Sequence, residues 1–124
     1  MREGGQPERP AILVLSAAAG PVEDEVLAGM EEEGVPSVVE RPRHDADAIT
    51  LARTAAGRSS LSVGVGIDAD GRVCVQHDKL ADPLPELYSP GPAEPATARS
   101  LGHDAARIVV GIPLSPREPR TVAR

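Results

Sequence analysis

Three consecutive glutamates, Glu31, Glu32 and Glu33, stand a few residues after a second acidic triplet, Glu23-Asp24-Glu25. The periodicity around them predicts a helix, and they fall at its C-terminal end, where the macrodipole disfavours negative charge. On that helix Glu25, Gly29 and Glu32 stand at i, i+4 and i+7 and share one face. Gly29 removes bulk beside Glu32, so another backbone can come close. A carboxylate in such a place could reach a cation held mainly by a partner, because magnesium and calcium favour oxygen ligands. A solvated acidic helix end accounts for the same residues without any ligand.

The other reactive side chains make weaker patterns. His44, His77 and His103 are far apart in sequence, and none lies in a His-x-x-x-His or Cys-x-x-Cys spacing that would hold zinc. Asp68 and Asp70 resemble the start of a calcium loop, but the twelfth position holds Lys79 where that loop needs a bidentate glutamate. A hairpin turn explains the two aspartates better. His77-Asp78 and His103-Asp104 set a carboxylate beside an imidazole with no nucleophile visibly paired to either. The segment Ala17–Pro21 follows a strand and opens a helix, where a dinucleotide phosphate would bind. It lacks both the Gly-x-Gly-x-x-Gly spacing and Gly-Lys-Ser/Thr, and acids crowd in directly after it. Neither catalytic nor cofactor-binding residues are assigned.

Composition narrows the classes further. The 124 residues suit one domain of ordinary size. The hydrophobic fraction is 40%, and Tyr88 is the only aromatic residue, so Val, Ile, Leu and Ala must build the core. Such a core buries little area per residue, and a permanent partner would add the missing burial. With 19 acidic residues against 13 lysines and arginines, the net charge of -6 would repel a phosphate backbone. Nucleic-acid binding is not expected. The single cysteine, Cys74, has no partner for an internal disulfide and fits a reducing cytosol. No apolar run approaches the roughly 18 residues that span a bilayer, and no signal-like segment stands at the start.

The elements that position these residues alternate. Residues 1–10 read as a flexible leader, and Ala11–Ser16 as a strand covered on both faces. A helix runs from Pro21 to Glu33, with proline suited to its first turn and Gly34 as its stop. Val35–Glu40 is a second strand and His44–Gly57 a second, alanine-rich helix. Leu61–Ile67 is a third strand whose glycines predict close backbone approach. A turn over Asp68–Gly71 joins it to a fourth strand, Arg72–Gln76. His77–Ala96 contains five prolines and reads as a loop or extended surface arm. Thr97 caps a third helix that ends at Gly111, and residues 115–124 form a loose tail. The order predicts a small three-layer, Rossmann-like α/β domain over residues 11–114, with a mostly parallel sheet and one hairpin.

Several blocks also resemble a known family. Pro10-Ala11-Ile12-Leu13-Val14, the stretch from Glu25 through Glu31-Glu32-Glu33-Gly34-Val35-Pro36, Ser62–Ile67, Val75–Leu80 and Gly102–Pro113 are similar, in order, to the small subunit of the diol/glycerol dehydratase reactivating factor. That family is in turn similar to part of the dehydratase medium subunit. Departures are His103-Asp104, where the family usually carries a polar amide pair, and the proline-rich stretch Pro83–Pro95.

The resemblance implies a non-catalytic partner rather than an enzyme. Its partners would be a large, actin-like ATPase subunit and, transiently, the adenosylcobalamin-dependent dehydratase, in a heterotetramer of two large and two small subunits. Subunit exchange would release damaged cobalamin. ATP or ADP would sit on the large subunit only, and Mg2+ or Ca2+ would be shared at the interface, with Glu32 as this chain's metal ligand. The implied location is cytoplasmic, in association with a bacterial microcompartment. Two alternatives compete. A truncated dehydratase medium subunit would have a longer stretch before the first strand than the ten residues present. A small-molecule-binding α/β domain would use the loop after Ser16.

Overall fold

The computed structural model describes residues 9–111, so most of the expected leader and all of the expected tail lie outside the described residues. Four strands, β1 (Ile12–Ser16), β2 (Ser37–Glu40), β3 (Val63–Ile67) and β4 (Val73–His77), form one sheet in the order β2-β1-β3-β4. β1 pairs in parallel with both β2 and β3, while β3 and β4 form an antiparallel hairpin. This is the mostly parallel sheet with one hairpin that the element order predicts.

Chain direction explains the layers. The connection from β1 to β2 moves one way across the sheet and the connection from β2 to β3 moves the other way. Crossovers of the same hand therefore place their helices on opposite faces. Accordingly Val26 and Met30 of α1 (Pro21–Glu32) pack with Ile12, Val14, Val63, Val65, Val73 and Val75. They share that face with Leu101 and Ala105 of α3 (Pro95–Val110). On the other face Leu51 and Ala55 of α2 (Ala48–Arg58) cover Leu13 and Leu15.

The missing aromatic bulk is offset by close approach. A Cβ on Gly64 would lie 2.6 Å from the Ala55 Cβ, and one on Gly66 would lie 2.7 Å from the Leu51 Cβ. Glycines in β3 thus let α2 lie directly on the sheet. α1 ends in a left-handed Gly34 (φ 79°), with the Val35 amide donating to the Met30 carbonyl at 3.2 Å and the Gly34 amide to Glu31 at 2.9 Å. Met30 and Val35 are both buried there, the hydrophobic partner of this kind of helix stop.

Several element boundaries differ from expectation. β2 begins at Ser37 because Val35 serves the helix stop. α2 begins at Ala48, not His44, because the Asp47 side chain accepts the Thr50 amide at 2.8 Å and caps the helix. Thr97 is not the cap of α3: the helix starts at Pro95, with proline in the first turn, and Thr97 lies inside it. The proline-rich segment is also more structured than a surface arm. Leu87 is buried, Tyr88 bridges to Cys74, and the Val73 amide donates to the Ser89 hydroxyl at 2.9 Å. This segment covers the outer edge of β4.

Candidate functional site

The acidic end of α1 lies against α3, and the backbone that Gly29 admits is the chain's own. A Cβ on Gly29 would come within 2.9 Å of the His103 amide nitrogen, and one on Gly102 within 2.9 Å of the Val26 carbonyl carbon. At this crossing Arg99, His103 and Arg107 stand at i, i+4 and i+8 on α3 and meet the α1 glutamates in a chain of ion pairs. Arg99 Nε donates to Glu25 at 2.8 Å and its Nη1 to Glu32 at 2.9 Å. His103 sets Nε2 2.7 Å from Glu32 and Nδ1 2.6 Å from Glu33. Arg107 Nε closes the series on Glu33 at 3.0 Å.

The carboxylates that oppose the dipole of α1 are therefore met by two arginines and a histidine from a different helix. The hydrogen bonds from His103 and then Arg107 hold the Glu33 carboxyl below the usual glutamate range. Hydrogen bonding to Glu25 raises the guanidinium of Arg99 above its ordinary value. Glu32 is the most exposed of the three paired glutamates, its side chain 47% accessible against 28% for Glu25 and 15% for Glu33. Glu31 is exposed and turned aside, on a shallow depression with Leu27, Val35, Pro36 and Ser37. Among the described residues no group of three or more His, Cys, Asp or Glu side chains is placed to hold a metal ion. Glu32 thus fits a hard cation only as one oxygen donor among others supplied from elsewhere.

Asp68 and His77 shape turns in this fold. The Asp68 carboxylate accepts the amides of Asp70 and Arg72, each at 2.9 Å, and shapes the hairpin turn completed by Gly71. His77 Nδ1 accepts the Lys79 amide at 3.0 Å. His44 lies in a cleft of about 640 Å³ beside Arg41 and Arg58. The structure does not bring these histidines together. Cys74 is fully buried, and burial pushes its thiol up to about 11, away from nucleophilic use.

At the loop after Ser16, the first turn of α1 already carries a negative charge. Glu23 is buried there and paired with Arg41 at 2.5 Å, and Arg41 also donates to the Ser16 carbonyl at 3.3 Å. Burial opposes the Glu23 charge, but hydrogen bonds from Arg41 and Ser16 outweigh it and lower its pKa. An incoming phosphate would meet this carboxylate. The Arg41–Glu23 pair and the Arg99–His103–Arg107 row escaped the sequence reading. The row has a visible signal, a four-residue basic spacing that matches the acidic face of α1.

No helix among the described residues is long and apolar enough to cross a membrane. A family model described as dehydratase medium subunit matches residues 9–115. The propanediol dehydratase-reactivating factor small subunit of Citrobacter freundii is 35% identical over 105 residues, which cover 84% of this chain and 89% of that one. The diol dehydratase-reactivating factor small subunit of Klebsiella michiganensis is 37% identical over 90 residues, 72% of this chain and 70% of its own. Among solved structures, a chain of a glycerol dehydratase reactivase superposes with a TM-score of 0.78 at 29% identity, covering 86% of this chain and 97% of that one. A chain from the diol dehydratase-reactivating factor complexed with ADP and Mg2+ gives 0.74 at 30% identity, covering 87% and 99%.

Proposed function

Since this chain belongs to the dehydratase medium-subunit family, as a small, non-catalytic subunit of the diol/glycerol dehydratase reactivating factor, we propose that it acts by subunit exchange. In this reading it binds the large ATPase subunit and, in turn, displaces a similar surface of the dehydratase, loosening a damaged cobalamin so that intact coenzyme replaces it. Exchange needs two interfaces of comparable strength, selected by the nucleotide state of the large subunit. The observation that carries the proposal is the superposition on nearly the whole of two reactivase chains, at 97% and 99% of their length.

ATP and ADP belong to the large subunit, and this chain contributes Glu32 to a Mg2+ or Ca2+ ion shared at the interface. The half-exposed carboxylate at the end of α1 supports that role. The bound ion would neutralise acidic charge where the two subunits meet. The complex contains two large and two small subunits and works in the cytoplasm, in association with a bacterial microcompartment.

Coexpression with the cognate large subunit tests the reading. The two should copurify, and Glu32→Ala should weaken the magnesium-dependent part of the association while leaving the isolated fold intact. An equal loss from Glu31→Ala would reduce the effect to general acidity and remove the specific role of Glu32.

A further inference from the structure

The ion pairs at the α1–α3 crossing do not treat their three glutamates alike. Both oxygens of Glu32 are occupied, one by Arg99 and one by His103. Each of those two side chains also holds a second carboxylate: Arg99 keeps Glu25 at 2.8 Å and His103 keeps Glu33 at 2.6 Å. Glu33 in turn is shared with Arg107 at 3.0 Å. Glu32 can therefore swing out while Arg99 and His103 each keep a carboxylate partner. Releasing Glu25 or Glu33 would instead strip a less exposed carboxylate from its partners, at greater cost. The helices would stay together meanwhile, because their crossing is fixed by the close approach at Gly29 and Gly102.

We propose that Glu32 is a releasable member of this network: Arg99 and His103 clasp its carboxylate in the free subunit, and the divalent cation shared with the bound partner, not partner contact alone, opens the clasp. The inference rests on the proposed role of Glu32 toward a shared divalent cation and adds a competitor to it. A cation that coordinates Glu32 must share each oxygen with the donor already on it or displace that donor, so the clasp sets a threshold against binding metal in the absence of the partner. Arg99 and His103 are positioning residues that tune how readily the interface forms.

Binding of the full chain to the cognate large subunit, measured by titration calorimetry in magnesium chloride and again in EDTA, tests this. The gain in affinity that magnesium gives should rise roughly two- to five-fold in Arg99→Met and in His103→Leu, the size expected for losing one half-exposed ion pair. The EDTA values should stay unchanged. Arg99→Lys, which keeps a charge for Glu25 but cannot span both carboxylates, should shift the same way and guards against loss of fold. In a Glu32→Gln background the clasp substitutions should have no effect on the magnesium gain. If Glu32→Gln abolishes the magnesium gain but the clasp variants leave it unchanged or smaller, the clasp is refuted and the metal role of Glu32 survives. If Glu32→Gln leaves the gain intact, both fall.

Discussion

Replacing Gly102 by alanine should destabilise the chain, against the usual helix preference for alanine. In an unencumbered helix the change gains about 0.8–1 kcal/mol. Here the new methyl would stand against the backbone of Val26, 2.9 Å from its carbonyl carbon and nearer still to its oxygen. Backbone cannot rotate away as a side chain can, so α3 must back off from α1. Overpacking of this kind costs about 1–3 kcal/mol, sometimes more. Moving α3 would also stretch the Arg99 and His103 bridges. The net expectation is a loss of about 1–2 kcal/mol, or a fall in Tm on the order of 4 °C per kcal/mol. Gly57→Ala in α2 supplies the control, because nothing lies within 4 Å of a Cβ there. It should stabilise by about 0.5–1 kcal/mol. Urea and thermal unfolding followed by far-UV circular dichroism compare the two. If Gly102→Ala proves as stable as Gly57→Ala, the close α1–α3 crossing is wrong.

Two further outcomes follow from local chemistry. Asp47→Ala removes the side chain that accepts the Thr50 amide and should cost about 1 kcal/mol in urea unfolding, with Asp47→Asn recovering most of it. The Cys74 thiol should resist alkylation at pH 8 in the native chain and react once the chain is unfolded. An unfolded thiol ionises near pH 8.5, whereas burial pushes the folded one up to about 11. The folded chain thus holds the proton longer, so the stability this group contributes is complete below about pH 8.5 and is lost as pH rises through about 11. Cys74→Ala should flatten that alkaline decline, and an equally steep decline in the variant would contradict the assignment.

Where the sequence was legible, short-range physics decides the structure. The apolar run of β1, proline in the first turn of α1, Gly34 after its end and the paired aspartates of the hairpin each act within a few residues. Gly64, Gly66 and Gly29 correctly signalled close approach, although a glycine does not say which backbone approaches. What the sequence hid depends on pairing across the fold. Nothing near Glu32 and Glu33 says that their cations come from α3, some seventy positions further along the chain. Glu31, Glu32 and Glu33 look equivalent in sequence, and only the crossing of α1 over α3 separates Glu31, turned aside, from Glu32 and Glu33, each held by two α3 side chains and differing in exposure. The boundary errors are competitions between nearby signals. Asp47 displaced His44 at the start of α2, and Pro95 displaced Thr97 at the start of α3. The proline content of residues 77–96 masked the buried Leu87 and the strap along β4.

The role of this chain is decided by whether it completes a reactivating factor. The direct measurement is recovery of turnover by a glycerol-inactivated dehydratase given fresh coenzyme, ATP and magnesium, with the large ATPase subunit present and this chain added or withheld. Recovery only when the chain is added, together with its copurification in the complex, is the predicted result. Equal recovery without it, or failure of the chain to associate with the large subunit, would contradict the account.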